Sequence, residues 1–153
     1  RKCLFQFCGN QTDTEPDVYE PLKKFVSTQE NTELLPEMKH EDMLRTIEKA
    51  DFLLIPSRQE PMPTVAAEAM ELSVPCVISD VCGVARYLRD RESGIIFSGN
   101  NVKALRGAIW EAVSLYEEHP EDYRAMCENA RARYEEEFSE EKFRDTLLDA
   151  LGE

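Results

Sequence analysis

The sequence predicts an α/β domain: a mostly parallel sheet of about five strands with helices on both faces, three layers in all, and a helical extension at its C-terminal end. Three observations predict it. Short apolar runs alternate with stretches of helical periodicity along the first two thirds of the chain. The runs at 52–55 and 75–78 are continuously apolar, which marks strands buried on both faces, as in parallel sheets. The last third carries only long amphipathic stripes.

Residues 2–8 (KCLFQFC) read as the first strand, stopped by Gly9-Asn10. Residues 11–17, with Pro16, read as a loop. Val18, Leu22, Phe25 and Val26 then fall at helical spacing within 18–28, and Pro21 either kinks that helix or begins it. Thr32 to Leu35 form a short strand ended by Pro36, and residues 41–49 place Met43, Leu44 and Ile47 on one helical face. Phe52 to Ile55 form a buried strand broken by Pro56-Ser57. Residues 63–73 (PTVAAEAMELS) form a small-residue helix, with Pro63 suited to its first turn. Pro75 to Ile78 is another buried strand, Gly83 leads into a short helix over 84–90, and Gly94 opens the strand Ile95-Ile96-Phe97. Val102, Leu105, Ile109, Ala112 and Tyr116 define one long helix, and Tyr123 through Phe138 a second. Ser139 caps a last one holding Phe143, Leu147, Leu148 and Leu151. Ligands of such sheets bind beyond the carboxyl ends of the strands, so the loops after Cys8, Leu35, Ile55, Ile78 and Phe97 are the places to search.

Composition narrows the function. The chain has 153 residues, 42% of them hydrophobic, enough for one domain with one core. A net charge of −13 argues against binding nucleic acid or an anionic membrane surface, and no apolar run is long enough for a membrane span. The five cysteines are odd in number and include no C-x-x-C pair, which fits a reduced, cytoplasmic compartment. His40 and His119 lie apart from any cysteine cluster, so neither a metal site nor a cofactor is expected. His40 reads as a polar residue near a helix start, and Cys76 and Cys82 as packing residues. The chain opens on Arg1 rather than Met, which leads us to expect a piece of a longer protein.

The loop after Ile55 carries the chemistry. Segment 56–70 reads PSRQEPMPTVAAEAM, with Glu60 in the loop and Glu68 on the second turn of the following helix. A helix N-terminus facing the carboxyl end of a strand offers free N–H groups and the positive end of the dipole to an anion. Pro61 and Pro63 have no N–H, so the donors are the amides of Met62, Thr64 and Val65 with the Thr64 hydroxyl. Carboxylates accept hydrogen bonds from hydroxyls and repel phosphate, so Glu60 and Glu68 belong beside a polyol. A ligand with both phosphates and sugar hydroxyls fits the combination. Simpler readings stand beside this one. Thr64, Glu68 and Glu71 also form the polar face of a covered helix, Glu60 also reads as an ordinary loop acid, Arg58 pairs with a glutamate or touches phosphate, and Gly9 is a site residue or only a turn.

Segment 52–99 resembles the C-terminal domain of retaining GT-B glycosyltransferases of group 1, the family 4-like enzymes. The residues that carry the likeness are Pro56-Ser57, Glu60, Glu68-Ala69-Met70, Pro75-Cys76-Val77-Ile78, Gly83, Tyr87-Leu88 and Gly94-Ile95-Ile96-Phe97, and it extends weakly over nearly the whole chain. Where that family often has glycine, this chain has Pro61 and Pro63. The resemblance implies a Rossmann-like domain that binds a nucleotide-diphosphate sugar, UDP-, GDP- or ADP-linked, for retaining, metal-independent transfer of a hexose to an unknown acceptor. It implies that Glu60 contacts the transferred sugar as the catalytic residue, that Met62 to Val65 line the diphosphate with Pro61 beside them in the binding loop, that Glu68 holds the ribose, and that the loop near Met38 flanks the base. It also implies that residues 1–153 form a single domain of a two-domain enzyme, with the acceptor domain and the first strand-helix unit absent. The isolated chain would then be inactive, and its incomplete sheet open to self-association. A rival from another class is a non-catalytic α/β interaction module derived from such an enzyme, with the acidic helices as its partner surface.

Overall fold

The computed structural model describes residues 3–9 and 16–152, of which residues 16 and 17 are described by their backbone alone. All five strands expected from the apolar runs are present and every pairing is parallel, but they divide into two sheets, one of two strands and one of three. The chain forms two compact units, one ending at Met43 and the other beginning at Leu44.

The first unit holds β1 (Phe5–Phe7), α1 (Pro16–Val26) and β2 (Thr32–Leu34). Phe5 lies opposite Thr32 and Phe7 opposite Leu34. The ladder extends at both ends, since Phe5 N donates to Asn31 O at 2.9 Å and Leu35 N to Phe7 O at 2.8 Å. Helix α1 starts at Pro16, inside the expected loop, and carries Pro21 in its interior. Proline at a first helical position loses nothing, because the N–H it lacks would have no partner there. Residues 10–15 of that loop lie outside the described residues. Helix α2 (His40–Ile47) begins one residue before and ends two residues before the expected 41–49, with His40 at its first position.

The second unit is built on β3 (Leu53–Ile55), β4 (Cys76–Ser79) and β5 (Gly94–Phe97), with β4 in the centre. Every residue of β4 is buried, which its unbroken apolar run requires. Successive side chains take opposite faces. Val77, Ile95 and Phe97 meet Ala108 and Ala112 of α4 (Val102–Glu118) and Met126 of α5 (Pro120–Glu137) in one core cluster. On the other face Cys76 lies against α3 (Thr64–Glu71), its Sγ 3.8 Å from the Ala66 carbonyl. The three expected layers are therefore present in this unit. Asn101 caps α4, its side chain accepting from the amides of Lys103 and Ala104. Ser139 caps α6 (Glu140–Leu151), accepting from Lys142 N at 3.2 Å as the sequence leads one to expect. Among the described residues no helix is long and apolar enough to cross a membrane, and all five cysteines are free thiols.

Two helix expectations need correction. Pro63 is the N-cap of α3 rather than part of its first turn. Its ψ of 107° is extended, so helical geometry begins only at Thr64. The short helix expected over 84–90 is a 3₁₀ turn from Gly83 to Tyr87. Its bonds run from Ala85 N to Cys82 O and from Leu88 N to Ala85 O.

Burial alone pushes the Cys76 thiol from its ordinary 9.0 up to about 12. The folded chain thus holds this proton longer than the unfolded chain does. The stability so contributed is fully present below the unfolded value and is lost as pH rises toward the folded one. From pH 9 to pH 10 the stability advantage of the wild type over Cys76→Ala, read by urea unfolding, should shrink by roughly 1 kcal/mol. A constant difference would mean that Cys76 titrates alike in both states.

Candidate functional site

Parallel pairing of β3 with β4, Ile55 opposite Ile78, sets the loops at their carboxyl ends side by side. Those loops, residues 56–63 and 80–82, are stitched together. Glu60 and Cys82 form an isolated parallel bridge, and Gly83 N donates to Glu60 O at 3.0 Å. Closeness here demands glycine, since a Cβ on Gly83 would stand 1.9 Å from the Pro61 carbonyl oxygen. The half-buried Ser57 hydroxyl donates to Glu60 Oε2 at 3.0 Å. Cys82 is buried beneath this pair, 2% exposed. Burial, and then the Glu60 carboxylate, push its thiol up, while the Ser57 hydroxyl works in the opposite direction.

Helix α3 leaves this loop with no side-chain hydrogen bond at its N-cap. Ala66 N turns back to Pro63 O at 3.1 Å, and Thr64 stands exposed at the first helical position. Glu68 lies one turn further on, half-buried, with its Oε2 atom screened from solvent. A cleft of ≈ 290 Å³ opens beside it. Met62, Pro63, Thr64 and Glu68 line one wall together with Ala67 and Glu71, and Val84, Tyr134 and Phe138 line the other.

The structure therefore gathers Met62, Pro63, Thr64 and Glu68 around one cleft, and fixes Glu60 and Pro61 in the loop that leads into it. Val65 is half-buried on the first turn of α3, outside the cleft lining. Arg58 is exposed and, among the described residues, makes no ion pair, so the pairing with Glu60 or Glu68 is not formed. Gly9, exposed after β1, and Met38, half-buried before α2, belong to the first unit.

A model of the family described as "Glycosyl transferases group 1" matches residues 1–133. The chain belongs to that family. Among curated relatives, the D-inositol 3-phosphate glycosyltransferase of Rhodococcus erythropolis is 27% identical over 135 residues, 88% of this chain and 29% of its own length. Among solved structures, sucrose-phosphate synthase from Thermosynechococcus elongatus superposes with a TM-score of 0.79 at 22% identity, over 95% of this chain and 37% of that one. HepE of Anabaena in complex with UDP superposes with a TM-score of 0.84 at 16% identity, over 98% of this chain and 41% of that one. The fold is thus that of the Rossmann-like domains of GT-B glycosyltransferases. The chain spans about a third of the length of the curated relatives it matches.

In this group 1 glycosyltransferase chain, the far wall of the cleft is what sequence reasoning missed. Tyr134 and Phe138 carried a signal only as the end of an apolar helical stripe, and Glu71 only as part of a polar face. Burial, followed by the Glu71 carboxylate beside it, pushes the Tyr134 phenol up. Phe138 meets Tyr87 edge to face at 5.0 Å. Arg133, with 13% of its side chain exposed, ties α5 to the 3₁₀ turn: its Nε donates to Tyr87 O at 2.8 Å and its guanidinium pairs with Glu137 at 2.6 Å. Arg133→Ala should cost about 1–3 kcal/mol in urea unfolding, because the Tyr87 carbonyl and a half-buried carboxylate lose a charged donor. Unchanged stability would show that these contacts hold nothing together.

Proposed function

We propose that the chain binds a nucleotide-diphosphate sugar for retaining, metal-independent transfer of a hexose by the whole protein. The observation that carries this reading is the position of Glu68, in a cleft one turn beyond an N-terminus that no side chain caps. Amides and dipole at that terminus suit a diphosphate, and a carboxylate one turn along suits vicinal hydroxyls. Family membership supports the reading, as do the structures of HepE in complex with UDP and with UDP-glucose.

In this account Glu68 takes the ribose hydroxyls, and Met62, Thr64 and Val65 face the diphosphate, with Pro61 and Pro63 shaping the loop. Glu60 contacts the sugar, and Arg58 is free to approach phosphate. Fixed dipoles that stabilise charge on the departing diphosphate are the main catalytic contribution. Binding by the isolated chain is weak, because a net charge of −13 repels a dianionic diphosphate.

Titration calorimetry with UDP or GDP tests the ribose role. Glu68→Ala should weaken nucleotide binding by roughly tenfold, the loss of a hydrogen bond to a charged group. The role is rejected if the variant binds as the wild type does.

A further inference from the structure

Glu60 is held from two sides by residues that the donor site does not use. Its side chain accepts from the Ser57 hydroxyl through Oε2 at 3.0 Å. Its backbone carbonyl accepts from Gly83 N at 3.0 Å, within the parallel bridge between Glu60 and Cys82. We propose that Ser57 and Gly83 are positioning residues for Glu60: Gly83 sets the path of the loop backbone, and Ser57 holds one carboxylate oxygen so that the other is presented to a hydroxyl of the donor sugar. This inference rests on the nucleotide-sugar reading above.

The two contacts do different work. Any side chain at position 83 would meet the Pro61 carbonyl oxygen at 1.9 Å and its carbon at 3.0 Å, both backbone atoms that cannot swing aside. The loop would have to lift, and Glu60, the residue before Pro61, would lift with it. The Ser57 contact acts on the side chain alone. A glutamate on a loop otherwise samples many rotamers, and ordering it at the moment of binding costs entropy. A hydroxyl donating to a carboxylate is a charge-assisted bond, and a carboxylate engaged at Oε2 keeps Oε1 as an acceptor. Ser57 is thus placed to prepare Glu60 before a ligand arrives, without touching the ligand.

The test compares wild type, Ser57→Ala and Ser57→Thr, titrated with UDP-glucose and separately with UDP. Ser57→Ala should weaken UDP-glucose roughly tenfold and leave UDP unchanged, and Ser57→Thr, which keeps the hydroxyl, should recover the loss. Equal weakening of both ligands, or of neither, overturns the proposal. Two measurements need no ligand. Carbon relaxation should show the Glu60 side chain ordered in wild type and mobile in Ser57→Ala. Amide exchange in Gly83→Ala should accelerate at residue 83 while β4 and β5 keep their protection. An equally ordered Glu60 in Ser57→Ala, or unaltered exchange in Gly83→Ala, also overturns it. If wild type binds neither nucleotide, the nucleotide-sugar reading fails on its own, and relaxation and exchange still decide whether Ser57 and Gly83 fix Glu60.

Discussion

The close passage of the Pro61 carbonyl over the α-carbon of Gly83 is the contact on which the rest of the site depends. It exists because β3 and β4 pair in parallel, so that their carboxyl ends finish together. Two neighbouring loops then share one narrow space, and only a residue without a Cβ lets them bond. The bridge from Glu60 to Cys82 follows from that approach. With the loop pinned there, the chain reaches Pro63 in an extended conformation and α3 begins at Thr64. This crossing fixes where α3 leaves the sheet, and packing of the helix on β4 and α5 then holds Glu68 in place.

The opposite wall depends on the C-terminal helices rather than on the sheet. Helix α5 begins against the α4 side of the core, where Met126 is buried, and the Tyr123 hydroxyl reaches the Asp51 carbonyl at 3.0 Å. Its last turns lie along α3, where the Arg131 guanidinium bonds the Glu71 carbonyl. Tyr134 and Phe138 are carried to the cleft by this diagonal path. The acidic surface of α5 is laced by ion pairs at i, i+3 and i, i+4, such as Arg124 with Glu121 and Arg131 with Glu135, the arrangement of a solvated helix face.

Much of the fold was legible in the residues themselves. Unbroken apolar runs located β3, β4 and β5, because a strand covered on both faces has no polar side to show, whereas β1 and β2, with Gln6 and Glu33 exposed at their centres, were located by short apolar runs and the stops that follow them. The caps Asn101 and Ser139 work through side-chain oxygens, although only Ser139 was foreseen. What the residues did not reveal was set by neighbours. Proline restricts φ but leaves ψ to the tertiary structure, so the role of Pro63 as N-cap was not visible, nor was the start of α1 at Pro16. The division of strands into two sheets depends on which edges meet, and periodicity carries no information about that. The same limit applies to the site. Thr64 and Glu68 could be read from one segment, whereas the Gly83 contact and the Tyr134 and Phe138 wall join residues far apart in the chain. Arg58 was open to pairing by type, yet its position in the loop leaves it exposed.

The proposed donor site rests on one short stretch, the loop 56–63 with the first two turns of α3. The most direct measurement is amide chemical-shift mapping of the ¹⁵N-labelled chain during titration with UDP. The account predicts that the largest shifts fall on Met62, Thr64 and Val65, with Glu68 following and the α4 amides unmoved. Shifts confined to α4 or α6, or none at saturating nucleotide, would contradict it.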